Sequence, residues 1–462
     1  EISCSLVGSE MCIRDRCALA AVFTLRGEEP LVLLSMGEKL TIAFQVDGLS
    51  CIFAALVSVL WPLASLYAVE YMSREGSENR FFVFYLSSFG VTLGIAFSAN
   101  VLTMYLFYEL LTLATLPLVM HHMDGKARYA GRVYLTYSMC GAALGFIAMV
   151  LMIEHGAWFF QFGGSVTVTA SKENTLRMAY ILGFFGFGVK AAVFPGHKWL
   201  LRASVAPTPV TALLHAVAVV KAGVFAVARI TWYGFGPDLL RGSWCQYLAM
   251  GAAMFTIVYA SSKALRTKHL KRRLAWSTVS NLSYILLGIA TLTTAGLIAG
   301  MVHMVVHAVL KITLFFGVGA VHYKLHRDFV LDVEGCGVLM PVVFGTFAVA
   351  SLGLMGVPPL AGFASKWLLA TAAVGMGKWI GYLGAAALIV SALLTALYLM
   401  EIVLLAFFPR QNRQLTVRVP KRARQDPCWR MTVPLTVLSA GSVVLGLGAG
   451  VLERTVSLLL GV

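Results

Sequence analysis

Long apolar runs joined by short charged loops are the feature that most constrains how this 462-residue chain can fold. Hydrophobic residues make up 59% of the chain and charged residues 12%, against about 45–50% and about 25% in soluble domains. A soluble core could not bury this surplus, so we predict an all-α polytopic membrane protein with about 12–13 transmembrane helices. The predicted spans are 48–70, 81–98, 101–120, 131–153, 177–199, 207–230, 244–262, 271–292, 294–321, 341–373, 379–408 and 432–453.

The basic residues are distributed unevenly between the two faces that these spans define. The loops after the odd-numbered spans, with the adjoining helix ends, carry 22 lysines and arginines, and the opposite face carries eight. Short loops rich in Lys and Arg stay in the cytoplasm. The face with 22 is therefore predicted to be cytoplasmic. We attribute the net charge of +15 to membrane topology and not to nucleic acid binding.

Two of the predicted spans contain proline where a helix should continue. Pro195-Gly196 interrupts the fifth span, and Pro358-Pro359 with Gly362 interrupts the tenth. Proline removes a backbone donor and breaks a helix, and within a membrane such a break is tolerated only inside protein or beside a cavity. One broken helix in each half of the chain predicts paired transport sites.

Six lysines and glutamates fall inside the predicted spans, away from the span ends. A charged side chain at the bilayer centre costs at least about 2.5–3.5 kcal/mol on insertion scales, so such residues usually serve a function. A single lysine near a helix end more often only extends its ammonium to the interface, but several mid-span lysines indicate an ion path. The six residues are Lys190, Lys221, Lys311, Lys366, Glu109 and Glu401.

Histidines extend this set. His303 and His307 precede Lys311 at intervals of four residues, which places the three on one stripe of a helix. A lone buried histidine is usually a satisfied core residue, whereas three ionisable groups on one stripe are typical of a proton relay. His215 lies six residues before Lys221, about 240° around an ideal helix, so these two need not share a face. Packing and transport are equally open roles for His215.

The two glutamates within the spans differ in their sequence context. Glu109 lies in the run YLFYELLTLATLPLV, which contains no other charge. Its carboxylate could simply neutralise a lysine, or it could control when a buried lysine holds a proton, because a nearby carboxylate favours the protonated amine. Glu401 is explained equally well by a surface that faces another protein of a complex.

No cofactor or metal motif is present in the sequence. The eight cysteines are scattered without a Cys-x-x-Cys pair, and there is no Rossmann fingerprint or complete P-loop. We therefore predict no cofactor and no metal, and expect that any enzymatic chemistry belongs to other subunits.

We do not expect the first 16 residues to belong to the fold. Residues 1–16, EISCSLVGSEMCIRDR, have no initiator methionine and resemble a translated sequencing adapter, neither a signal peptide nor a span. We expect residues 17–25 to be the remnant of a truncated helix, and we expect the natural start to be missing.

Several motifs in a fixed order resemble one known family. They are FQVDGLS at 44–50, YELLTLATLPL around Glu109, KAAVFPGHKWL at 190–200, APTPVTALLHAVAVVKAGVFAVAR at 206–229, LKRRLAWSTVSNLSYILLG at 270–288, HMVVHAVLKITLFF at 303–316 and GVPPLAGFASKW at 356–367. The family is that of the proton-conducting antiporter-like subunits shared by respiratory complex I, Mrp-type multisubunit Na+/H+ antiporters and membrane-bound hydrogenases.

The resemblance implies a fold of fourteen helices with two inverted five-helix repeats, each a half-channel with one broken helix. It divides the chain into the suspected artefact 1–16, truncated N-terminal helices at 17–80, half-channels at 81–230 and 244–408, and a basic cytoplasmic loop with a C-terminal helix at 409–462.

The resemblance also implies roles for individual residues. Glu109 and Lys190 match the glutamate and lysine of the first half-channel. Lys221, with His215, matches the bridge between the half-channels. Lys311, with His303 and His307, matches the centre of the second half-channel, and Lys366 matches the residue at its broken helix.

The expected function is proton translocation along this Lys/Glu/His chain, in a subunit of a multisubunit ion-pumping complex of the cell (inner) membrane. That complex is an NADH/ferredoxin–quinone oxidoreductase, a membrane-bound hydrogenase or an Mrp-type antiporter, and Lys221 and Lys366 favour the last two. The expected partners are other membrane subunits, with a peripheral redox arm or Na+ exchange according to the complex.

Two other functions are open. The first is a passive scaffold role with a vestigial channel, against which the presence of every ionisable position argues. The second is a self-contained small-solute transporter, for which the sequence offers no aromatic- or arginine-lined site.

Overall fold

The computed structural model describes residues 29–37, 40–409 and 425–462. The expectations for residues 1–16 and for the helix remnant at 17–25 lie outside the described residues. The same holds for the basic segment 410–424.

A short hairpin precedes the first span. β1 (Leu31–Met36) pairs antiparallel with β2 (Leu40–Phe44), and Gly37 follows β1 with a φ of 75°. The resemblance implies helices over 17–80, but the structure has this hairpin within that range. The hairpin is the exception to an otherwise helical architecture. The apolar run LVLLSM is only six residues long, and periodicity does not separate a strand from a helix over such a length.

Most of the remaining described chain is helical, and every predicted span corresponds to one helix or to two helices in succession. The helices are α1 (Gly48–Met72), α2 (Glu78–Ala96), α3 (Val101–Val119), α4 (Gly125–Glu154), α5 (Glu173–Gly188), α6 (Lys198–Ala203), α7 (Thr208–Phe235), α8 (Trp244–Arg266), α9 (Leu270–Ala290), α10 (Thr294–Leu325), α11 (Pro341–Met355), α12 (Ala361–Val374), α13 (Trp379–Phe407), α14 (Trp429–Leu447) and α15 (Ala449–Leu460).

Eight of the described helices are long and apolar enough to cross a membrane by length and composition alone. The fifth and tenth predicted spans are each built from two helices, α5 with α6 and α11 with α12, and the predicted twelfth span, 432–453, covers most of α14 and the start of α15, which are separated at Gly448. The all-α polytopic membrane fold is therefore confirmed, and so is the break in each half.

The spans from α2 to α13 form two consecutive sets of five. The first runs from α2 to α7 and the second from α8 to α13, and in each set the fourth span is the broken one. Because five is an odd number, the second set starts on the opposite side of the membrane from the first. The two repeats are therefore inverted.

Hydrogen bonds between loops divide the described loops into two faces. On the hairpin face, which holds β1 and β2, Ala99 N donates to Ala43 O at 3.0 Å and Phe160 N donates to Ala99 O at 2.8 Å. On the opposite face, here called the basic face, Val330 N donates to Lys268 O at 2.9 Å. These contacts join only loops that the span order places together.

Two helices form the centre of the molecule. The most apolar window of α7 is 100% buried and that of α10 is 94% buried, whereas the corresponding window of α13 is 39% buried. Outer helices expose apolar side chains, as expected where lipid is the solvent. Ionisable groups on α7 and α10 therefore lie away from both lipid and water.

The motif FQVDGLS ties α1 to α7. Asp47 caps α1 by accepting from Ser50 N at 2.9 Å, and it also forms an ion pair with the buried Arg229. Arg229 further donates to Ser50 Oγ at 2.8 Å. This network anchors the end of α7 that lies at the hairpin face.

Candidate functional site

Lys190 lies in the break between α5 and α6. Its side chain is fully buried, its ammonium donates to the carbonyl oxygen of Tyr108 on α3, and it sits 3.4 Å from the centroid of the Tyr108 ring. The tyrosine is itself held, because its hydroxyl donates to Phe187 O at 2.9 Å. A backbone carbonyl and an aromatic face therefore hold this lysine, as cations commonly are when water is excluded.

Glu109 follows Tyr108 on α3 and is half-buried. Its Oε1 is buried without a hydrogen-bond partner among the described residues. No ion pair of 4.0 Å or less joins Glu109 to Lys190 in the described part of the chain. The two residues are thus neighbours through Tyr108, not a contact pair.

His215 and Lys221 both face α10 from α7. The His215 ring packs against Phe315 at 4.8 Å, and Lys221 Nζ lies 2.8 Å from His307 Nδ1. The six-residue spacing between His215 and Lys221 on an ideal helix did not require the two to share a face. A π-helical turn at Leu213–Val217 changes the angular spacing between the two residues, and such turns are frequent at functional sites.

The histidines of α10 continue from Lys221 towards the second break. The His307 and His303 rings stack at 6.0 Å, and His303 Nδ1 lies 3.0 Å from Ser365 Oγ on α12. Because Ser365 Oγ donates to Gly362 O at 3.2 Å, we assign the proton of this contact to His303 Nδ1.

Lys366 closes the second break. Its Nζ donates to Leu354 O at 2.6 Å and to Met355 O at 3.1 Å, the last carbonyls of α11. A cation is favourable at a helix C-terminus. The ammonium also lies 5.6 Å from the Tyr284 ring, on which His303 stacks at 5.4 Å.

Lys311 lies one turn beyond His307, and its Nζ donates to Leu274 O on α9 at 3.2 Å. It belongs to the same buried stripe but contacts neither histidine directly in the described hydrogen bonds. Leu274, whose carbonyl oxygen accepts from Lys311, directly follows Arg273 in the sequence.

The structure therefore brings five residues into one buried run that begins on α7, the last helix of the first repeat, and continues through the second repeat. The run passes from α7 through α10 to the second break, and it consists of Lys221, His307, His303, Ser365 and Lys366. Lys190 connects to it through α7, because a Cβ on Gly223 would lie 2.4 Å from Ala191 N, so the backbones touch there.

Sequence reasoning missed three residues of this arrangement. Tyr108 precedes Glu109, Ser365 precedes Lys366, and Tyr284 lies in the motif SNLSYILLG. Position next to a buried charge is the only signal that could have found the first two. Polar groups without formal charge are common in helices, so composition does not single them out.

Glu401 pairs with Arg273. The distance from Arg273 Nη1 to Glu401 Oε2 is 2.7 Å, and the arginine is buried while the glutamate side chain is 40% exposed. The same guanidinium nitrogen donates to Tyr398 O at 2.9 Å. This pair joins α9 to α13 and accounts for a carboxylate within the span.

Two protein-family models match the chain. The one described as "NADH:quinone oxidoreductase/Mrp antiporter, TM" matches residues 98–395, and the one described as "NADH-Ubiquinone oxidoreductase (complex I), chain 5 N-terminus" matches residues 34–82. The first covers both broken helices and all eight predicted site residues.

Curated relatives come from both kinds of complex. The chain is 32% identical over 357 residues to a Na(+)/H(+) antiporter subunit of Alkalihalophilus pseudofirmus, covering 73% of this chain and 43% of that protein. It is 30% identical over 415 residues to NADH-quinone oxidoreductase subunit L of Mycobacterium tuberculosis, covering 89% of this chain and 63% of that one. The chain thus spans less than two thirds of the length of these relatives.

Two solved structures share the fold. A chain of the Mrp complex from a Dietzia species superposes with a TM-score of 0.84 at 22% identity, covering 99% of this chain and 91% of that one. A chain of an archaeal membrane-bound sulfane sulfur reductase, a respiratory membrane complex, gives 0.84 at 21% identity, covering 98% and 91%. Since the first family model spans well over half of the chain, the protein belongs to the NADH:quinone oxidoreductase/Mrp antiporter transmembrane family.

Proposed function

We propose that the protein is the proton-translocating membrane subunit of a multisubunit ion-pumping complex. The observation that carries this proposal is the buried run from Lys221 through His307, His303 and Ser365 to Lys366. Groups that exchange protons line the centre of the molecule there, where lipid and bulk water are excluded. Packing alone gives no reason to retain several such groups.

The contact between Lys221 and His307 is suited to moving a proton. Their nitrogens are 2.8 Å apart, and one hydrogen must lie between them. A lysine ammonium can donate to a neutral imidazole, or a protonated imidazole can donate to a neutral amine. The proton can therefore rest on either side of the contact without movement of the heavy atoms.

Histidine ring nitrogens without hydrogen-bond partners provide the next steps of proton transfer. His307 Nε2, His303 Nε2 and both nitrogens of His215 are buried without hydrogen-bond partners among the described residues. A buried polar atom left without a partner typically costs about 1–3 kcal/mol, so such atoms are retained where they serve a function. We assign these nitrogens to proton transfer along α10 and α7.

The first half supplies a second buried lysine. Lys190 lies in the break of the first repeat, beside Tyr108 and close to Glu109, and its backbone touches α7 at Gly223. We propose that 81–230 and 244–408 act as two half-channels joined through α7. Glu109 would control when Lys190 holds its proton.

The partners are the other membrane subunits of such a complex. The relatives are named as subunits of a Na(+)/H(+) antiporter and of an NADH-quinone oxidoreductase, and the fold neighbours come from an Mrp complex and a sulfane sulfur reductase. Lys221 and Lys366 lead us to favour the Mrp and hydrogenase-like complexes over complex I. Redox drive and Na+ exchange would then be properties of the assembly.

The test is proton transport by the assembled complex in proteoliposomes. Lys221→Ala should lower transport about tenfold or more, because it removes one side of a proton-sharing contact. Lys126→Ala, an exposed lysine at the start of α4, is the control and should transport normally. Native gels should show both variants assembled. Wild-type transport by an assembled Lys221→Ala complex would contradict the proposed path through Lys221 and favour the scaffold function.

A further inference from the structure

A groove opens on the basic face between three helix ends. It has a volume of about 410 Å³ and lies between α6, the last two turns of α8 and the first two turns of α9. It is separate from the buried run described above, because none of that run's residues line it. Its position is the level at which spans leave the membrane.

The rim of the groove is strongly basic. Lys198, Arg202, Lys263 and Arg272 all line it and are all exposed, and no acidic side chain is among its lining residues. None of the four takes part in an ion pair between described residues, although Arg273, the neighbour of Arg272, does. Four uncompensated cations around one cavity attract an anion.

The wall of the groove is aromatic. The rings of His197, Tyr259 and Trp276 form a triangle with centroid distances of 5.3–5.7 Å. Aromatic rings with a polar atom are typical of the boundary between hydrocarbon and headgroups. The aromatic wall is therefore suited to contact the part of a lipid that lies just below its charged headgroup.

One buried polar atom of this wall has no protein partner. His197 is 2% exposed, and its Nδ1 makes no hydrogen bond with any described residue. The residue lines the groove, so a ligand there could satisfy this nitrogen. This observation is independent of the charge on the rim.

We propose that this groove binds the phosphate headgroup of an anionic membrane lipid. The basic rim binds the phosphate, and the aromatic wall contacts the glycerol region and the first carbons of the acyl chains. Basic pockets between transmembrane helices are known to bind headgroups with two phosphates. Because four cations exceed the charge of one phosphodiester, we expect cardiolipin to bind more tightly than phosphatidylglycerol.

The test compares two variants of one loop. The variant Lys263→Gln with Arg272→Gln removes one lysine and one arginine from the groove. The control Arg266→Gln with Lys268→Gln removes the same charges from positions of the same segment that do not line it. The full chain is purified in detergent, and native mass spectrometry measures binding of added cardiolipin, phosphatidylglycerol, phosphatidylcholine and inorganic phosphate.

The groove variant should bind cardiolipin roughly tenfold to thirtyfold more weakly than wild type, and the control should stay within about twofold. Phosphatidylcholine should bind neither variant specifically. Displacement of cardiolipin by millimolar inorganic phosphate would keep the phosphate site but assign it to the free anion. Equal loss of cardiolipin in both variants, or copurification of an acidic protein segment in place of lipid, would overturn the proposal. Matching thermal midpoints show that both variants are folded.

Discussion

At the scale of single residues, the two halves of the molecule hold their buried lysines differently. Lys190 is held by the Tyr108 carbonyl and ring, whereas Lys221 is held by the titratable His307. The Glu109 carboxylate lies more than 4.0 Å from the Lys190 ammonium. At an effective dielectric near 20, the attraction between the two charges is then below about 4 kcal/mol.

The first prediction is that Glu109 and Lys190 act as one unit. Lys190→Ala should abolish or severely cut ion transport while the complex still assembles, because a lysine between apolar turns contributes little packing, and the coupling is read from whatever transport remains. Glu109→Gln should lower transport about tenfold, and Glu109→Asp should retain part of it because the charge remains. The double variant Glu109→Gln with Lys190→Ala should be no worse than the worse single variant.

Proton pumping by reconstituted complexes measures all four variants, with assembly checked on native gels. Additive losses in the double variant, or normal pumping by Glu109→Gln, would contradict the coupling. Full transport by an assembled Lys190→Ala complex would remove Lys190 from the path.

At the scale of elements, α7 determines how the two halves meet. It is buried along its whole length, carries π turns at Leu213–Val217 and Ile230–Phe235, and contacts the first break at Gly223. A Cβ at that glycine would also lie 2.8 Å from Lys190 C, so the atoms in the way are backbone and cannot rotate aside.

The second prediction compares two helical glycines. Gly223→Ala should lower stability by about 1–3 kcal/mol, because the break must shift to admit the methyl group. Gly251→Ala on α8, where nothing lies within 4 Å of an added Cβ, should be neutral or stabilise by up to about 1 kcal/mol. Thermal unfolding in detergent separates the two, and equal midpoints for both variants would refute the close contact.

The third prediction concerns the loop that follows α10. His322 Nδ1 lies 2.9 Å from Asp328 Oδ1, and this neighbour lowers the pKa of the Asp328 carboxyl more than burial raises it. A depressed carboxyl pKa stabilises the fold above the unfolded pKa of about 3.9, and the gain is lost as the pH falls through the folded pKa.

Asp328→Asn should therefore cost roughly 0.2–1 kcal/mol at pH 7, since the pair is partly exposed. The cost should be at least as large at pH 5 and should shrink below about pH 4. Thermal midpoints of wild type and variant across this range give the difference. A penalty that grows below pH 4 would reverse the sign of the argument.

At the scale of the whole molecule, the two faces differ in charge. The order of the predicted spans assigns 22 lysines and arginines to one face and eight to the other, counted on the whole sequence. The loop hydrogen bonds group the described loops in the same way, but they do not decide which face is cytoplasmic. That orientation remains a prediction from charge.

The fourth prediction is that the basic face lies in the cytoplasm. In intact cells, a membrane-impermeant maleimide should label Asp238→Cys on the hairpin face, where that side chain is 88% exposed, and should fail to label Lys268→Cys. Disrupted cells should label both, and the chain without an added cysteine gives the background. The reverse pattern would invert the topology.

The sequence alone determined the fold class, the twelve spans, the two breaks and the candidate ionisable residues. The physical reason is that a bilayer excludes unpaired charge and unpaired backbone, so apolar length, proline and buried lysine are informative wherever they occur. Lys190, Lys221, Lys311 and Lys366 could be selected without knowing any contact.

Only the tertiary structure decided which groups meet. Lys221 reaches His307 across 86 positions and His303 reaches Ser365 across 62, while helical periodicity reports only neighbours within a few turns. The π turn that brings His215 to α10, the hairpin before α1 and the pairing of Glu401 with Arg273 likewise depend on packing. The lysines and histidines of the candidate path could be selected from the sequence, but Ser365 and the order of the residues could not, because contacts between helices set that order.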